Sequence, residues 1–390
     1  MPKSPARRLY LIPVLSKALD VLEILQKEDR PLPLEAIYRR THTSKTTIYR
    51  ILKTFVHRGY LSQSQDGSYR LVSRPRKLRF GFGKQSGEMP FSEAVTTSLR
   101  DAASRAGVDL LILDNRYDAA TAVKVAEEFV KNRVDLVIEF QIDQQVAPII
   151  ADKIAAAGIP LIAVDIPHPH ATYFGVDNYR VGVEAGTLLA NHVEGLWGGK
   201  VDWVLGLDIE DAGPLVQSRI TGVFQELKNR LPSLPIEEFV RMDTRGMRDR
   251  SRRMVAEFLN RHPKDRHILI AGTTDSSALG ALEAARELKR NRHVAIVGQD
   301  CIPEAIEEMR RPGSPWIGSI SNEASSYGPR LIQLGVSILR DVTVPPYNYV
   351  EHRVVTAEMV RRNAMGDGRG SAAAGADEEQ SHPSNHQRGT

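Results

Sequence analysis

The sequence predicts an α/β chain in two parts, a small winged helix-turn-helix and then a two-lobed body of parallel sheets. Three observations carry this. Charge divides the chain: residues 1–80 hold 17 Lys and Arg against 6 Asp and Glu, a net of +11, and the remaining 310 hold 35 against 42, a net of −7. Within the basic part, helical stripes lead into a hairpin signal. Beyond it, strand-like apolar runs alternate with amphipathic stretches, the pattern of parallel sheets covered by helices.

The 390 residues, 42% hydrophobic and 26% charged, have ordinary globular composition and suggest two or three domains. The single cysteine, Cys301, excludes an internal disulfide and suits a reducing cytoplasm. The basic start Met1–Arg8 leads into no apolar run of signal-peptide length, and no stretch nears the roughly 18 apolar residues of a spanning helix. A cytoplasmic protein away from membranes is expected. The charge asymmetry points to a polyanion partner for the first part alone.

In that part, Leu15, Ala18, Leu19, Leu22 and Leu25 form one helical stripe, and Asp29–Pro33 breaks it. A short helix fits Leu34–Arg40, and Thr41–Ser44 supplies a turn and a cap. The third helix buries Ile48, Ile51, Leu52, Phe55 and Val56 and shows Lys45, Thr46, Thr47, Tyr49, Arg50 and Lys53 on its other face. Strands Tyr60–Ser64 and Ser68–Val72 flank Gln65-Asp66-Gly67, where Asp-Gly predicts a hairpin with a primed turn. A third helix with a polar, basic face is sized for a major groove, and Arg70 and Arg74 on and after the wing suit phosphates.

Ser16–Leu25, Ser44–Leu52, His57–Leu61 and Gly67–Leu71 resemble the DNA-binding domain of IclR-type regulators over about residues 10–75. That family's usual effector domain does not follow, so the body is read separately.

Strands are expected at Leu78–Phe82, Asp109–Leu113, Leu136–Phe140, Pro160–Val164, Val201–Leu205, Ile268–Ala271 and Val294–Val297. Helices such as Ala119–Asn132 and Ala278–Lys289 lie between them. An internal echo supports two lobes: Asp135–Ile138, helix, Ile159–Asp165 is matched by His267–Ile270, helix, His293–Asp300. Each unit ends in an aspartate just past a strand, where open α/β sheets bind ligands, so Asp165 and Asp300 are expected in one cleft.

From Lys77 to about Met359 the chain resembles type 1 periplasmic binding-protein domains of the ribose-binding and LacI-effector kind. The matching pieces run in order: Pro90–Ser92, Ile159–Asp165, Val176–Gly182, Arg219–Phe224, Thr274–Ala281, Val297–Asp300, then Ile320–Asn322 with Gly328. The resemblance implies a sugar-type cleft in which Asp165, Arg219, Asp300 and Asn322 hydrogen-bond hydroxyls and Phe91 covers an apolar sugar face. Carboxylates accept from hydroxyls, a guanidinium donates in a fixed fork, and a ring covers C–H surface. Ribose-type members carry Arg where this chain has Ile166, and often Asn where Thr274 stands, so the implied ligand is a polyol or sugar-like compound more broadly than ribose.

The expected domains are a winged helix at 10–76, a sensor at 77–360 and a disordered tail at 366–390. Lobe one takes about 77–177 and 322–345, and lobe two 178–321 and 346–360. Gly81–Gly87 has the wrong spacing for a phosphate loop, His168-Pro169-His170 lacks further metal ligands, and Arg245–Arg253 reads as a solvated helix face. Asp208, Glu210 and Asp211 read as a solvated loop, and Trp197, Trp203 and Trp316 as core. No cofactor, metal or catalytic residue is expected. The resulting expectation is a homodimeric regulator that binds operator DNA and senses a small polar metabolite. Two other readings stay open: an enzyme acting on a sugar or sugar phosphate in the same cleft, and a sensor whose winged helix docks protein.

Overall fold

The computed structural model describes residues 12–71, apart from Asp29, His42 and Gln65, and residues 77–364. Arg74, the linker at Ser73–Arg76 and the tail from 366 lie outside the described residues. The chain divides into two compact units between Leu78 and Arg79.

The first unit holds helices α1 (Pro13–Gln26), α2 (Leu34–Arg39) and α3 (Lys45–His57), then strands β1 (Leu61–Gln63) and β2 (Tyr69–Leu71). Pro13 sits at the start of α1, where its missing N–H costs nothing. Ser44 caps α3, its Oγ accepting from Thr47 N at 3.3 Å. Val21, Leu25, Ile37, Ile48, Leu52, Leu61 and Tyr69 form the core. Leu32 and Tyr69 exchange backbone hydrogen bonds of 2.8 and 2.7 Å, which ties the loop before α2 to the hairpin. The hairpin differs from the primed turn expected of Asp-Gly. Three residues separate Ser64 from Ser68, Gly67 N donates to Ser64 O, and Gly67 has φ +80° whereas Asp66 is not left-handed. A three-residue loop needs one left-handed residue at its end, and glycine supplies it.

The second unit starts with β3 (Arg79–Lys84), α4 (Pro90–Ala106), β4 (Asp109–Asp114), α5 (Ala119–Lys131), β5 (Leu136–Glu139), α6 (Ala147–Ala156), β6 (Leu161–Val164) and β7 (Thr172–Val176). The chain then crosses into α7 (Asn178–His192), β8 (Trp203–Asp208), α8 (Gly213–Arg230), β9 (Phe239–Asp243), α9 (Arg248–Arg261), β10 (Ile268–Gly272), α10 (Asp275–Glu287), β11 (Val294–Gln299), α11 (Pro303–Arg310) and β12 (Trp316–Ser321). It returns for α12 (Ala324–Leu339) and β13 (Tyr347–Val350), and crosses a third time into β14 (Arg353–Thr356).

Among the described residues, the body holds two six-stranded sheets, ordered β13-β7-β6-β5-β3-β4 and β14-β12-β11-β10-β8-β9. Leaving out the outer strands β13 and β14, the two orders are the same, which is the internal echo in structural form. Their strands are parallel apart from β14, which runs antiparallel to β12. Strands such as Leu136–Ile138 and Ile268–Ile270 are fully buried because helices cover both faces, so they read as unbroken apolar runs.

One boundary differs from expectation. Residues 346–350 were expected in lobe two, yet β13 pairs with β7, Tyr347 opposite Tyr173 through Val350 opposite Val176, and so completes the sheet of lobe one. The third crossing falls at Glu351-His352. The run Tyr-Asn-Tyr-Val is strand-forming but too short to name its sheet, and pairing decides its place.

Helices α7 and α8 cross with their backbones nearly in contact. A Cβ at Gly222 would lie 2.4 Å from Tyr179 O, and one at Gly182 would lie 2.0 Å from Arg219 O. This crossing fixes the height of Arg219 over the cleft. At an open helical site Gly→Ala stabilises by up to about 1 kcal/mol. Here Gly222→Ala is expected to do the reverse, costing about 1–3 kcal/mol through overpacking. Denaturant unfolding of the full chain checks the sign.

Candidate binding cleft and nucleic-acid interface

The two sheets aim their carboxyl ends at each other. The loops after β3, β5, β6, β8, β10 and β11 supply Gln85, Gln141, Asp165, Ile209, Thr274 and Asp300 to a cavity of about 50 Å³ between the lobes. Of the residues expected there, Phe91, Asp165, Arg219, Thr274 and Asp300 line it. Asn322 does not. It is buried behind the wall, where its Nδ2 donates to Asp300 Oδ1 at 3.0 Å.

Both strand-end aspartates sit in the left-handed region, Asp165 at φ +60° and Asp300 at φ +109°. Non-glycine residues there carry local strain, which the surrounding sheet must hold. Asp165 is buried, and its Oδ1 has no hydrogen-bond partner among the described residues. Burial raises the Asp165 carboxyl above the usual range, against the opposing charge of Arg219 and a backbone hydrogen bond from Val176. The Asp300 carboxyl is likewise raised, by burial first, while Arg219 and Asn322 act to lower it and the charge of Asp165 adds to the rise. Behind it, Asp275 accepts from Ser319 Oγ at 2.7 Å and Ile302 N at 2.9 Å, and burial and the charge of Asp300 push its carboxyl well up.

Arg219 is itself buried. Its Nε donates to Asn178 Oδ1 at 2.6 Å and its Nη1 to Thr273 O at 3.1 Å. These bonds fix the guanidinium plane while its charge acts on both aspartates. Phe91 meets Phe140 and Tyr327 edge-on, with ring centroids 6.5 and 5.6 Å apart. Thr274 is committed as the cap of α10, its Oγ1 accepting from Ser277 N at 3.1 Å.

The lobes also touch across the cleft. Tyr117 Oη donates to Arg245 O at 2.7 Å, and Gln144 N to Asp211 O at 2.8 Å. At Gly213, with φ +81° and ψ 178°, a Cβ would fall 1.3 Å from Gln144 Oε1. Gln85, Tyr117 and Gln141 also line the cavity, and Tyr327 packs behind Phe91; none was expected. The first and third follow strand ends and were open to the same rule that found Asp165. Tyr117 and Tyr327 carry no such signal.

Several other motifs resolve structurally. Arg245, Arg248, Arg250 and Arg252 pair with Asp211, Glu283 and Glu304, Asp243 and Glu287, which neutralises that run. Asp208 is buried against Arg241 and Ile209 N, so it belongs to an internal ion pair, unlike the solvated loop expected. Burial lowers His168 to about 4, its Nδ1 lying 2.8 Å from Ile166 O, and raises the Cys301 thiol to about 12. Among the described residues, no helix is long and apolar enough to cross a membrane.

On α3, Lys45, Thr46, Tyr49, Arg50 and Lys53 are exposed on one face, and Thr47 is partly covered beside Ser44. Lys45 Nζ is paired with Glu35 at 2.6 Å and Lys53 Nζ with Gln63 at 2.9 Å. Arg70 is exposed on β2, in the wing.

A winged helix joined to a two-lobed solute-binding fold is the class these features define. Residues 14–65 match the IclR helix-turn-helix domain. Residues 81–341 match the periplasmic binding protein domain, and the chain belongs to that family. No curated protein matches the chain. An ABC transporter solute-binding protein from Mycobacterium smegmatis with bound glycerol is similar over 74% of this chain and 96% of its own, at 20% identity and TM-score 0.66. One from Bacillus halodurans with bound myo-inositol covers 75% and 99%, at 18% and 0.64. One from Actinobacillus succinogenes with bound D-allose covers 73% and 100%, at 18% and 0.63. At these identities the shared property is the fold.

The raised carboxyl of Asp300 gives a signed prediction. Its proton is held in the folded state above the pH at which the unfolded chain releases it, so this group's contribution to stability is lost as pH rises through its elevated pKa. Asp300→Asn keeps an acceptor for Asn322 and removes the ionisation. The variant is expected to be more stable than the parent at pH 8, with the gain shrinking toward pH 5. Thermal unfolding of the ligand-free chain at both pH values measures it, and an equal shift at the two would contradict the assignment.

Proposed function

We propose that this protein is a ligand-responsive transcriptional regulator that binds operator DNA through α3 and the wing and senses a small sugar-like polyol in the cleft. The observation that carries the reading is one chain holding both a basic winged helix, in a segment of net +11, and a cleft whose buried Asp165 has an unpartnered acceptor beside Asp300 and Arg219. Neutral polyols fit that chemistry. Their hydroxyls donate to the two carboxylates and accept from the remaining N–H groups of Arg219, while Phe91 covers C–H surface. Glycerol, myo-inositol and D-allose, bound by similar structures, belong to this class.

In this reading Lys45, Thr46, Thr47, Tyr49, Arg50, Lys53, Arg70 and Arg74 contact DNA, and Phe91, Asp165, Arg219, Thr274 and Asp300 contact ligand, with Asn322 positioning Asp300. The protein acts in the cytoplasm as a homodimer on an inverted repeat, because one helix reads only a few base pairs and two-fold pairing is the commonest symmetry. It is a binder with no catalytic residue. Ligand favours the arrangement in which the lobes meet and shifts the equilibrium between DNA-binding states.

Sensing and DNA binding should separate by mutation. Arg219→Ala is expected to lose about 1.5–3 kcal/mol of ligand affinity, roughly tenfold to more than a hundredfold, with basal operator affinity unchanged. Arg50→Ala should weaken DNA and spare ligand. Lys45→Ala should do so less, since Lys45 must first leave Glu35. Calorimetry for ligand and anisotropy for DNA on the three variants decide it; a folded Arg219→Ala protein with normal ligand affinity counts against the cleft.

A further inference from the structure

The cavity wall is divided chemically, and the division bears on which polyol it takes. Asp165, Arg219 and Asp300 form one charged part of it, with Gln85, Thr274 and Ser276 also on the wall. The other part is hydrocarbon. Ile142 and Ile166 of lobe one pack with Ile209, Ala212 and Val216 of lobe two in one contiguous apolar cluster, and all five line the cavity. Two polar neighbours of this wall, Tyr117 and Gln141, are already used. Tyr117 Oη donates to Arg245 O, and the Gln141 amide is closed on its own loop, Nε2 to Asp143 O at 2.9 Å and Oε1 from Asp143 N at 2.5 Å. A ligand hydroxyl held against this cluster gives up water and gains no partner, whereas a methyl group in the same place gains contact.

We infer that the cleft selects a deoxy sugar, one with a bare methyl end, over the fully hydroxylated sugar of the same stereochemistry. This rests on the sugar-sensing reading and narrows it. The polar part recognises the ring hydroxyls, and the cluster around Ile166 receives the methyl. An apolar pocket discriminates against an added hydroxyl by up to about a hundredfold, so a preference of roughly tenfold to a hundredfold is expected. The cluster draws on both lobes, so the methyl group also bridges them in the closed arrangement.

The test is calorimetric titration of the full chain with matched pairs that differ only at C6: D-fucose and D-galactose, L-rhamnose and L-mannose, 6-deoxy-D-glucose and D-glucose. In whichever pair binds, the deoxy member should bind at least tenfold tighter. Val216→Thr keeps the branched shape and puts a hydroxyl in the wall, and it should shrink that ratio several-fold; Ile166→Thr introduces a hydroxyl from the other lobe with the loss of one further carbon. A hydroxylated sugar that binds as well as its deoxy partner overturns the inference and leaves the sugar sensor standing. A deoxy preference that survives both folded variants unchanged also overturns it, because the wall is then not its source. If the folded protein binds glycerol, myo-inositol or D-allose but no member of any pair, the inference is overturned and the polyol reading stands; if it binds none of these, both fail.

Discussion

Everything in the cleft depends on one buried guanidinium. Arg219 holds a positive charge in a site where two aspartates from different lobes would otherwise face each other with little solvent. An uncompensated buried charge is costly, and a carboxylate in such a place tends to take up a proton instead. Arg219 acts against this at both Asp165 and Asp300. It can do so because Asn178 and the Thr273 carbonyl fix its plane, and because the α7–α8 crossing at Gly182 and Gly222 sets its height. The charge belongs to lobe two, yet half of its work is on lobe one.

That arrangement links the hinge to the site. Asn178, the partner of Arg219, is the first residue of α7, immediately after the chain leaves β7 for lobe two. Asn322, the partner of Asp300, lies where the chain leaves β12 for lobe one. Two of the three crossings therefore end on groups that orient the cleft's charges. Left-handed aspartates at the two strand ends store strain at the same place, and the sheets around them hold it. Such a site gives up some stability for recognition, the trade expected where function needs buried polar groups.

Much of this was legible in the sequence because parallel sheets bury strands on both faces. Runs such as Leu136–Ile138 and Ile268–Ile270 announce themselves, and an aspartate just past such a run falls at the cleft. The winged helix was legible for a similar reason: the 0, 3, 4, 7, 8 spacing from Ile48 to Val56 separates a core face from a basic one. What escaped was decided by partners distant in sequence. Strand β13 is exposed apart from Asn348 and Val350 and owes its place to β7. Asn322, expected at the ligand, lies behind the cavity wall with its Nδ2 on Asp300 Oδ1. The arginines from Arg245 to Arg252 read as a solvated basic face, and their carboxylate partners come from β9, α10, α11 and the turn after β8. Tyr117 reaches the cavity from a loop, and Tyr327 backs Phe91 from a helix, and neither local pattern says anything of a cleft.

If cleft and winged helix share one equilibrium, as proposed, sugar and operator must affect each other's binding reciprocally. The measurement is operator affinity by anisotropy at zero and saturating sugar, paired with sugar affinity by calorimetry at zero and saturating operator. Sugar is expected to change the operator dissociation constant by some factor between about 5 and 150, and operator to change the sugar dissociation constant by the same factor. A sugar that binds the cleft tightly while leaving operator affinity unchanged would contradict it.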